Sequence, residues 1–437
     1  MADLLELSAR IIDSGDAEGG PALINRVTNE LSELDDGLAV VESFSHSVVL
    51  DTGDGLVAFD ASHADFGEQV VAAIKGWRSD PVTHLVYTHG HIDHVGGSPA
   101  FAAGFGEPEV VGHENVARRF DRYAYTNDWN RRINARQFGG VRADFRLTRT
   151  GDSHFLSPET RRPTRVVDQR DTLHVGDHRI ELVHHRGETD DHLWGWEPDR
   201  KWLFVGDFVI WNFPNAGNPQ KVQRWPIEWA AALREMASRG PEMLLPAHGL
   251  PVAGTERITT MLIDIADALD GLVADVVEMM NAGETLDTII HTVRVPDHLI
   301  QKPYLRPFYD EPEFVVRNVW RQFGGWWDGA PSRLKPAPDA QLAGELAELS
   351  GGAGLLAERA AELAADGEFR LACHLADLAG WAAPDDAGVH RIRADVYRRR
   401  RSDEMSLMSK GIFAGAARES EAIAGPDRGE HRAPAPP

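Results

Sequence analysis

The run Thr88-His89-Gly90-His91-Ile92-Asp93-His94-Val95-Gly96-Gly97 decides how this chain is read. His89, His91, Asp93 and His94 put four potential metal ligands within six residues. On an extended turn the i,i+2 histidines point to one side, and Asp93 and His94 are redirected where the backbone bends into a helix, so the run can serve two ions. Gly96-Gly97-Ser98 adds flexible backbone and a capping residue where that helix should begin. Packing alone is a poor explanation for so many polar groups together, because each buried one would need its own partner.

Upstream, Val48-Val49-Leu50 and Leu56-Val57-Ala58-Phe59 flank the turn-rich Asp51 to Gly55 and read as a hairpin, with Asp60 ending its second strand. Asp60 is either a turn cap or a residue that orients a ligand from behind. A helix is expected over Gly67 to Trp77, and the strand His84 to Tyr87 then delivers Thr88 and the His-rich run. Downstream, strands at Arg179 to Val183, Trp202 to Val205 and Met243 to Leu245 each stop beside a candidate ligand: Glu188, Asp207 and His248. Asp190, Asp191 and His192 lie close enough to Glu188 to replace it; His192 also suits proton transfer or a structural hydrogen bond. His46, His63, His113, His184 and His185 read as structural. The segment Val111 to Thr150 reads as helix and loop bordering the site.

Composition narrows the chemistry. Cys373 is the only cysteine, so a metal here must be held by nitrogen and oxygen; on an apolar helix it reads as packing. The net charge of −23 argues against a nucleic-acid backbone or an anionic membrane as the main partner. No stretch approaches the roughly 18 uninterrupted apolar residues of a membrane span, and Met1 to Leu7 does not read as a secretory leader, so a cytoplasmic location is expected. With 437 residues, more than one domain is expected. Beyond Gly254 the pattern turns helical, at Thr259 to Asn281 and at Ala340 to Ala365 with a break at Gly351-Gly352. The helices Ala353 to Ala365, Glu368 to Ala379 and Gly388 to Arg399 read as antiparallel hairpins, and Gly425 to Pro437 as disordered.

The run from Thr88 to Gly97 resembles the defining motif of metallo-β-lactamase-fold hydrolases. His185-Arg186-Gly187-Glu188-Thr189 looks like that family's Pro-Gly-His-Thr segment with Glu188 in place of histidine, which is similar to its alkylsulfatase branch. Arg317-Asn318-Val319-Trp320 through Trp327-Asp328-Gly329, then Ser350 to Ala353, resembles the alkylsulfatase dimerisation domain. The resemblance implies an α/β fold, a metallo-β-lactamase αββα sandwich followed by an all-α helical dimerisation domain. The expected division is a catalytic domain over residues 1–260, a helical linker over 261–310, a dimerisation domain over 311–420 and a disordered tail over 421–437. It implies two zinc ions per subunit, one on His89, His91 and Glu188, the other on Asp93, His94 and His248, with Asp207 as bridge.

The function so implied is hydrolysis of an alkyl sulfate ester by a metal-activated hydroxide, with Asp93 and Asp207 as the catalytic carboxylates. The partners expected are a small-molecule substrate, anionic and carrying an alkyl chain, and a second copy of the chain in a homodimer. Arg186, Lys221 and Arg224 are the candidates for contacting the anionic group, and Trp211 in the loop beside them reads as a pocket wall or, more simply, as core or lid packing. The alternatives are a same-fold hydrolase of a lactone, thioester, carboxylic ester or β-lactam, and a di-iron redox enzyme; the second is opposed by the lack of a flavodoxin-like pattern in the C-terminal half.

Overall fold

The protein is described from a computed structural model, over residues 3–15, 24–138 and 154–425. It divides into two compact units, the first comprising residues 1–132 and 147–328 and the second residues 133–146 and 329–437. The disorder expected for the end of the chain falls on residues outside those described, except that the last helix, Leu407–Ala424, extends four residues into the expected 421–437 tail. Among the described residues no helix is long and apolar enough to cross a membrane.

The first unit contains two mixed sheets. One orders seven strands in sequence: β1 (Leu31–Asp35), β2 (Leu38–Val41), β3 (Ser47–Asp51), β4 (Leu56–Phe59), β5 (Val82–Val86), β6 (Glu109–His113) and β7 (Arg165–Val167). The hairpin expected around Asp51 to Gly55 joins β3 to β4 antiparallel, and the helix Gly67–Trp77 makes the crossover that leaves β4 and β5 parallel. The other sheet contains β8 (Arg170–Val175), β9 (His178–His184), β10 (Leu193–Glu197), β11 (Trp202–Gly206), β12 (Met243–Pro246) and β13 (Val252–Ala253).

The αββα layering follows from strands that are apolar on both faces. Val40, Val48, Val57, Phe59 and Val86 face the second sheet, while their neighbours Val41, Val49, Ala58 and Leu85 face the helices Gly67–Trp77 and Ser98–Phe105. With a side-chain period of two, a continuous apolar run must bury against both layers at once. Phe59 and Phe204 stack at 4.1 Å where the sheets meet. The second sheet is covered by the helix Pro226–Ser238 and the 27-residue helix Thr255–Asn281, which buries Ile258, Met261, Leu262, Ile265 and Leu269 on one stripe. That stripe is why residues 255–328 pack with the sheets: the stretch 261–310, expected as a linker, contributes Leu262, Leu269, Leu286, Ile289 and Leu305 to the main core.

The second unit is helical, with Asp339–Ser350, Ala353–Ala365, Phe369–Ala382, Ala387–Asp403 and Leu407–Ala424. The break at Gly351-Gly352 falls where both glycines adopt positive φ. Small residues, Ala357, Ala360, Ala364, Ala372, Ala376 and Ala379, line the helix contacts and allow close approach.

Candidate metal centre

The chain ends of both sheets converge on one cluster. After β5 the turn Thr88–His91 carries His89 and His91, and the one-turn helix Ile92–Val95 carries Asp93 and His94. Glu188 lies on the turn between β9 and β10, Asp207 directly after β11, and His248 after β12. Since β11 and β12 are parallel, Asp207 and His248 leave the sheet on the same edge. Leu193 N donates to Thr88 O at 2.7 Å and so ties the two sheets together at this edge. The chain can turn sharply into Asp207 because Gly206 adopts φ +52°; a Cβ there would meet Thr88 at 2.7 Å and His192 at 2.8 Å.

The ligand atoms fall into two groups, His89, His91, Glu188 and Asp207 in one and Asp93, His94 and His248 in the other, with atoms in each group within 4.8 Å of one another. Ligands arranged tetrahedrally at about 2.0–2.2 Å from an ion stand roughly 3.3–3.6 Å apart. Two spacings here are of that size, His248 Nε2 to Asp93 Oδ2 at 3.3 Å and His94 Nε2 to Asp207 Oδ1 at 3.5 Å, while His89 Nε2 and His91 Nδ1 stand closer, at 2.8 Å. Asp207 faces both groups, with Oδ2 3.8 Å from His89 Nε2 and Oδ1 3.7 Å from His248 Nε2.

Burial and hydrogen bonding leave particular atoms for an ion. His94 Nε2, Glu188 Oε2 and Asp207 Oδ1 are buried and have no hydrogen-bonding partner, an expensive condition that a cation relieves. The rest of each side chain is held firmly. Asp60, itself at φ +62°, accepts from Thr88 N, Thr88 Oγ1 and His94 Nδ1, each at 2.8 Å. A carboxylate can only accept from the ring, so Nδ1 of His94 carries a proton and, in the neutral ring, Nε2 keeps its lone pair for a metal. Asp207 N donates to His192 Nε2 at 3.1 Å, which puts the His192 proton on Nδ1, toward Leu193 O at 3.0 Å. Asn215 Nδ2 donates to Glu188 Oε1, and Arg224 Nη1 lies 3.1 Å from the same oxygen.

The electrostatics match the geometry. Burial pushes Glu188 well above the usual carboxylate range, against the pull of Arg224 and helped by Asp207 and Asp93. Against the cost of burial, His94 and His248 hold Asp207 well below it. Burial also opposes charge on His94, yet Asp207, Asp60 and Asp93 push that ring well above the ordinary histidine range. Burial, then His94 and His91, hold His89 far below that range, and burial, then Arg224 and Arg119, hold His91 below it, both in the neutral form that ligates. The donor set therefore fits two divalent cations.

The substrate candidates separate. Arg224 is buried, donates to Glu188 O and borders the cluster. Lys221, pushed down to about 8 by burial and then by Arg224, lies with its amine 5.8 Å from the Phe155 ring. Arg186 is placed elsewhere: it pairs with Glu228 and stacks on Trp225 at 5.3 Å, largely exposed. Trp211 is fully buried, its indole donating to Leu250 O at 2.8 Å, so it is core beneath the His248 turn and not a pocket wall. The possible substitutes for Glu188 are occupied as well. Asp191 takes a two-point contact from Arg119, at 2.8 and 3.0 Å, and Gly90 N donates to the same carboxylate at 3.1 Å, so this pair braces the His89–His91 turn.

Arg119, Asn215 and Tyr309 are the participants that sequence reasoning missed. Tyr309 is pushed well above the ordinary phenol range by burial and then by Glu188 and Asp93, which places it beside the carboxylates. The three asparagines of Asn212 to Asn218, directly after Asp207, were the one available signal; nothing local marks Arg119 or Tyr309.

Residues 40–248 match the family model of the metallo-beta-lactamase superfamily, spanning every proposed ligand, and residues 285–422 match that of alkyl sulfatase dimerisation. Over the first of these stretches the chain is similar to the metallo-beta-lactamase superfamily. The dimerisation match begins within the first compact unit. Among the relatives, a linear primary-alkylsulfatase of Pseudomonas sp. is 26% identical over 400 residues, covering 85% of this chain and 73% of the relative. An (R)-specific secondary-alkylsulfatase of Pseudomonas sp. is 24% identical over 374 residues, covering 78% of this chain and 54% of the relative. The solved structure of a stereoselective inverting sec-alkylsulfatase from Pseudomonas sp. shares the fold, with a TM-score of 0.80 at 22% identity, over 91% of this chain and 66% of that one.

Proposed function

We propose that this protein hydrolyses alkyl sulfate esters at a site that holds two zinc ions. The observation that carries the reading is the pair of ligand groups sharing Asp207, with buried His94, Glu188 and Asp207 atoms left for metal, in a chain whose relatives are alkylsulfatases. His89, His91 and Glu188 would hold one ion, Asp93, His94 and His248 the other, and Asp207 both. When bound, such ions lower the pKa of water to about 7 and neutralise charge on a leaving oxygen.

The protein's own residues supply the rest. Arg224 and Lys221 bring positive charge to the edge of the cluster, where an anionic sulfate group is attracted despite the net charge of −23, because at physiological salt global charge is screened beyond about 8 Å. Ile92, Tyr123 and Phe155 form a small apolar cluster beside His91 and Asp93, with Lys221 over Phe155, so cationic and apolar surfaces adjoin as an alkyl sulfate requires. The reaction consumes water and releases an alcohol and hydrogen sulfate. Asp60 fixes the ring of His94, His192 accepts from the backbone N–H of Asp207, and burial with Glu188 and Asp93 keeps Tyr309 protonated.

The helices of the second unit are proposed to pair two copies of the chain. Leu342, Leu346 and Leu349 recur at helical spacing on the helix Asp339–Ser350 and are exposed, as are Leu355 and Leu371, an apolar surface that association would bury.

The test is the metal content of the purified chain together with sulfate release from medium-chain alkyl sulfates, before and after chelation. Two zinc equivalents with chelator-sensitive sulfate release are expected. Two metals without sulfate release would move the substrate to a lactone, thioester, carboxylic ester or β-lactam; no bound metal would overturn the reading.

A further inference from the structure

The loop that follows Asp207 is held from behind by a remote segment. Phe213 N donates to Arg306 O at 3.0 Å, Gly217 N to Asp310 Oδ2 at 2.7 Å, and Asn318 Nδ2 to Arg224 O at 3.0 Å. Gln223 Nε2 also donates to Asn318 O, at 3.4 Å. Gly217 lies so tightly against the start of the helix Pro312–Gly324 that a Cβ would meet Val315 N at 2.2 Å. Asp310 is fully buried, and its other oxygen accepts Glu311 N at 2.8 Å. On its opposite side the same loop presents Asn215 and Arg224 to Glu188.

We infer that Asp310 and Asn318 are positioning residues for the ion held by His89, His91 and Glu188: by fixing Gly217 and Arg224 they keep Asn215 and Arg224 on Glu188 Oε1, which leaves Oε2 for the metal. The inference rests on the two-metal reading above. Its physical basis is the cost of the arrangement. A buried carboxylate with backbone N–H partners is expensive, as shown by burial pushing Asp310 up to about 7, and a carboxyl retained under that cost serves to fix the two N–H groups it accepts. The other group has no such dependence, since His94 is oriented by Asp60, and His248 lies between Asp93 and Asp207.

The experiment is zinc titration of the full chain against a competing chelator, resolving the two equivalents, for the wild type, Asp310→Ala, Asp310→Asn and Asn318→Ala. Asp310→Ala and Asn318→Ala are expected to weaken one equivalent by about 10- to 100-fold, the range for losing a residue that orients a ligand, and to leave the other unchanged. Asp310→Asn, retaining one acceptor, is expected to fall between. Should Asp310→Ala not fold, Asn318→Ala, which removes the two side-chain hydrogen bonds to the Arg224 backbone, carries the test. Unchanged affinities in the variants, or equal weakening of both equivalents as in general loss of structure, would overturn the inference and leave the two-metal reading standing; a wild type without bound zinc would remove both.

Discussion

His94 and Glu188 each keep one buried donor atom without a hydrogen-bonding partner, but they reach that state by different routes. His94 is held by Asp60 and Thr88, residues at the ends of neighbouring strands of one sheet. Glu188 is held by Asn215 and Arg224, on a loop that is fastened in turn by Asp310 and Asn318, 93 and 94 positions further along. A ligand supported by its own sheet is as stable as the sheet. One supported through a loop and a distant helix depends on each intervening contact, and offers more places where geometry can be adjusted without touching the ligands.

The largest expected effect comes from removing what the two halves share. Asp207→Ala should lose nearly all turnover and the cooperation of the two metals while leaving the oligomer intact, measured as sulfate release, zinc content and sedimentation; normal hydrolysis would show that Asp207 does not bridge. Next, Asp60→Ala should weaken the His94 group by about 10- to 100-fold in zinc affinity and spare the Glu188 group, the reverse of the Asp310 pattern. Identical losses at both equivalents would erase the contrast between the two halves.

A smaller change tests whether Glu188 is special or only well supported. Glu188→His removes the carboxylate that pairs with Arg224 and leaves that buried cation uncompensated beside the ion. Retention of two zinc equivalents is expected, with the first weakened by about tenfold and recovered when Arg224→Leu is added; if Arg224→Leu brings no recovery, the cation is not what tunes this position.

A different readout, stability against pH, concerns the turn that carries His248. His46 Nε2 lies 2.8 Å from Gly249 O, and burial, with His248 adding to it, pushes the ring down to about 4. Because the unfolded ring titrates near 6.5, the folded protein resists the proton that the unfolded chain takes up. Stability is therefore present above about pH 6.5 and lost as the pH falls through 4, by about 3 kcal/mol. In metal-free protein His46→Asn should flatten the fall in melting temperature over that window, and an unaltered profile would mean the ring is not buried neutral.

How much of this was legible follows the distances over which the groups cooperate. The hairpin around Asp51 to Gly55, the helix Gly67–Trp77 and the strand ends beside Glu188, Asp207 and His248 could be read because strand and helix periods and turn residues are local signals. The role of Asp60 was open between turn cap and orienting partner, and the contact with His94 assigns it the second. Arg186 was misplaced, and Trp211 left open between pocket wall and core, because proximity in sequence says nothing about direction: one side chain turns outward to Glu228 and the other inward to Leu250. Arg119 could not be found, since its value lies in an ion pair with Asp191, 72 positions away.

By itself, the sequence determined the ligand types, the clustering of His89 to His94, the absence of a thiolate cluster and the apolar strands that must be covered on both faces. All of these are set by residue chemistry and spacing along the chain. Only the tertiary structure decided which atom of each ligand is free, which ring nitrogen carries the proton, and that Asp310 and Asn318 stand behind the loop supporting Glu188. A hydrogen bond of this kind exists only where two distant stretches of the chain meet in space, and burial turns that meeting into a cost large enough to select one arrangement.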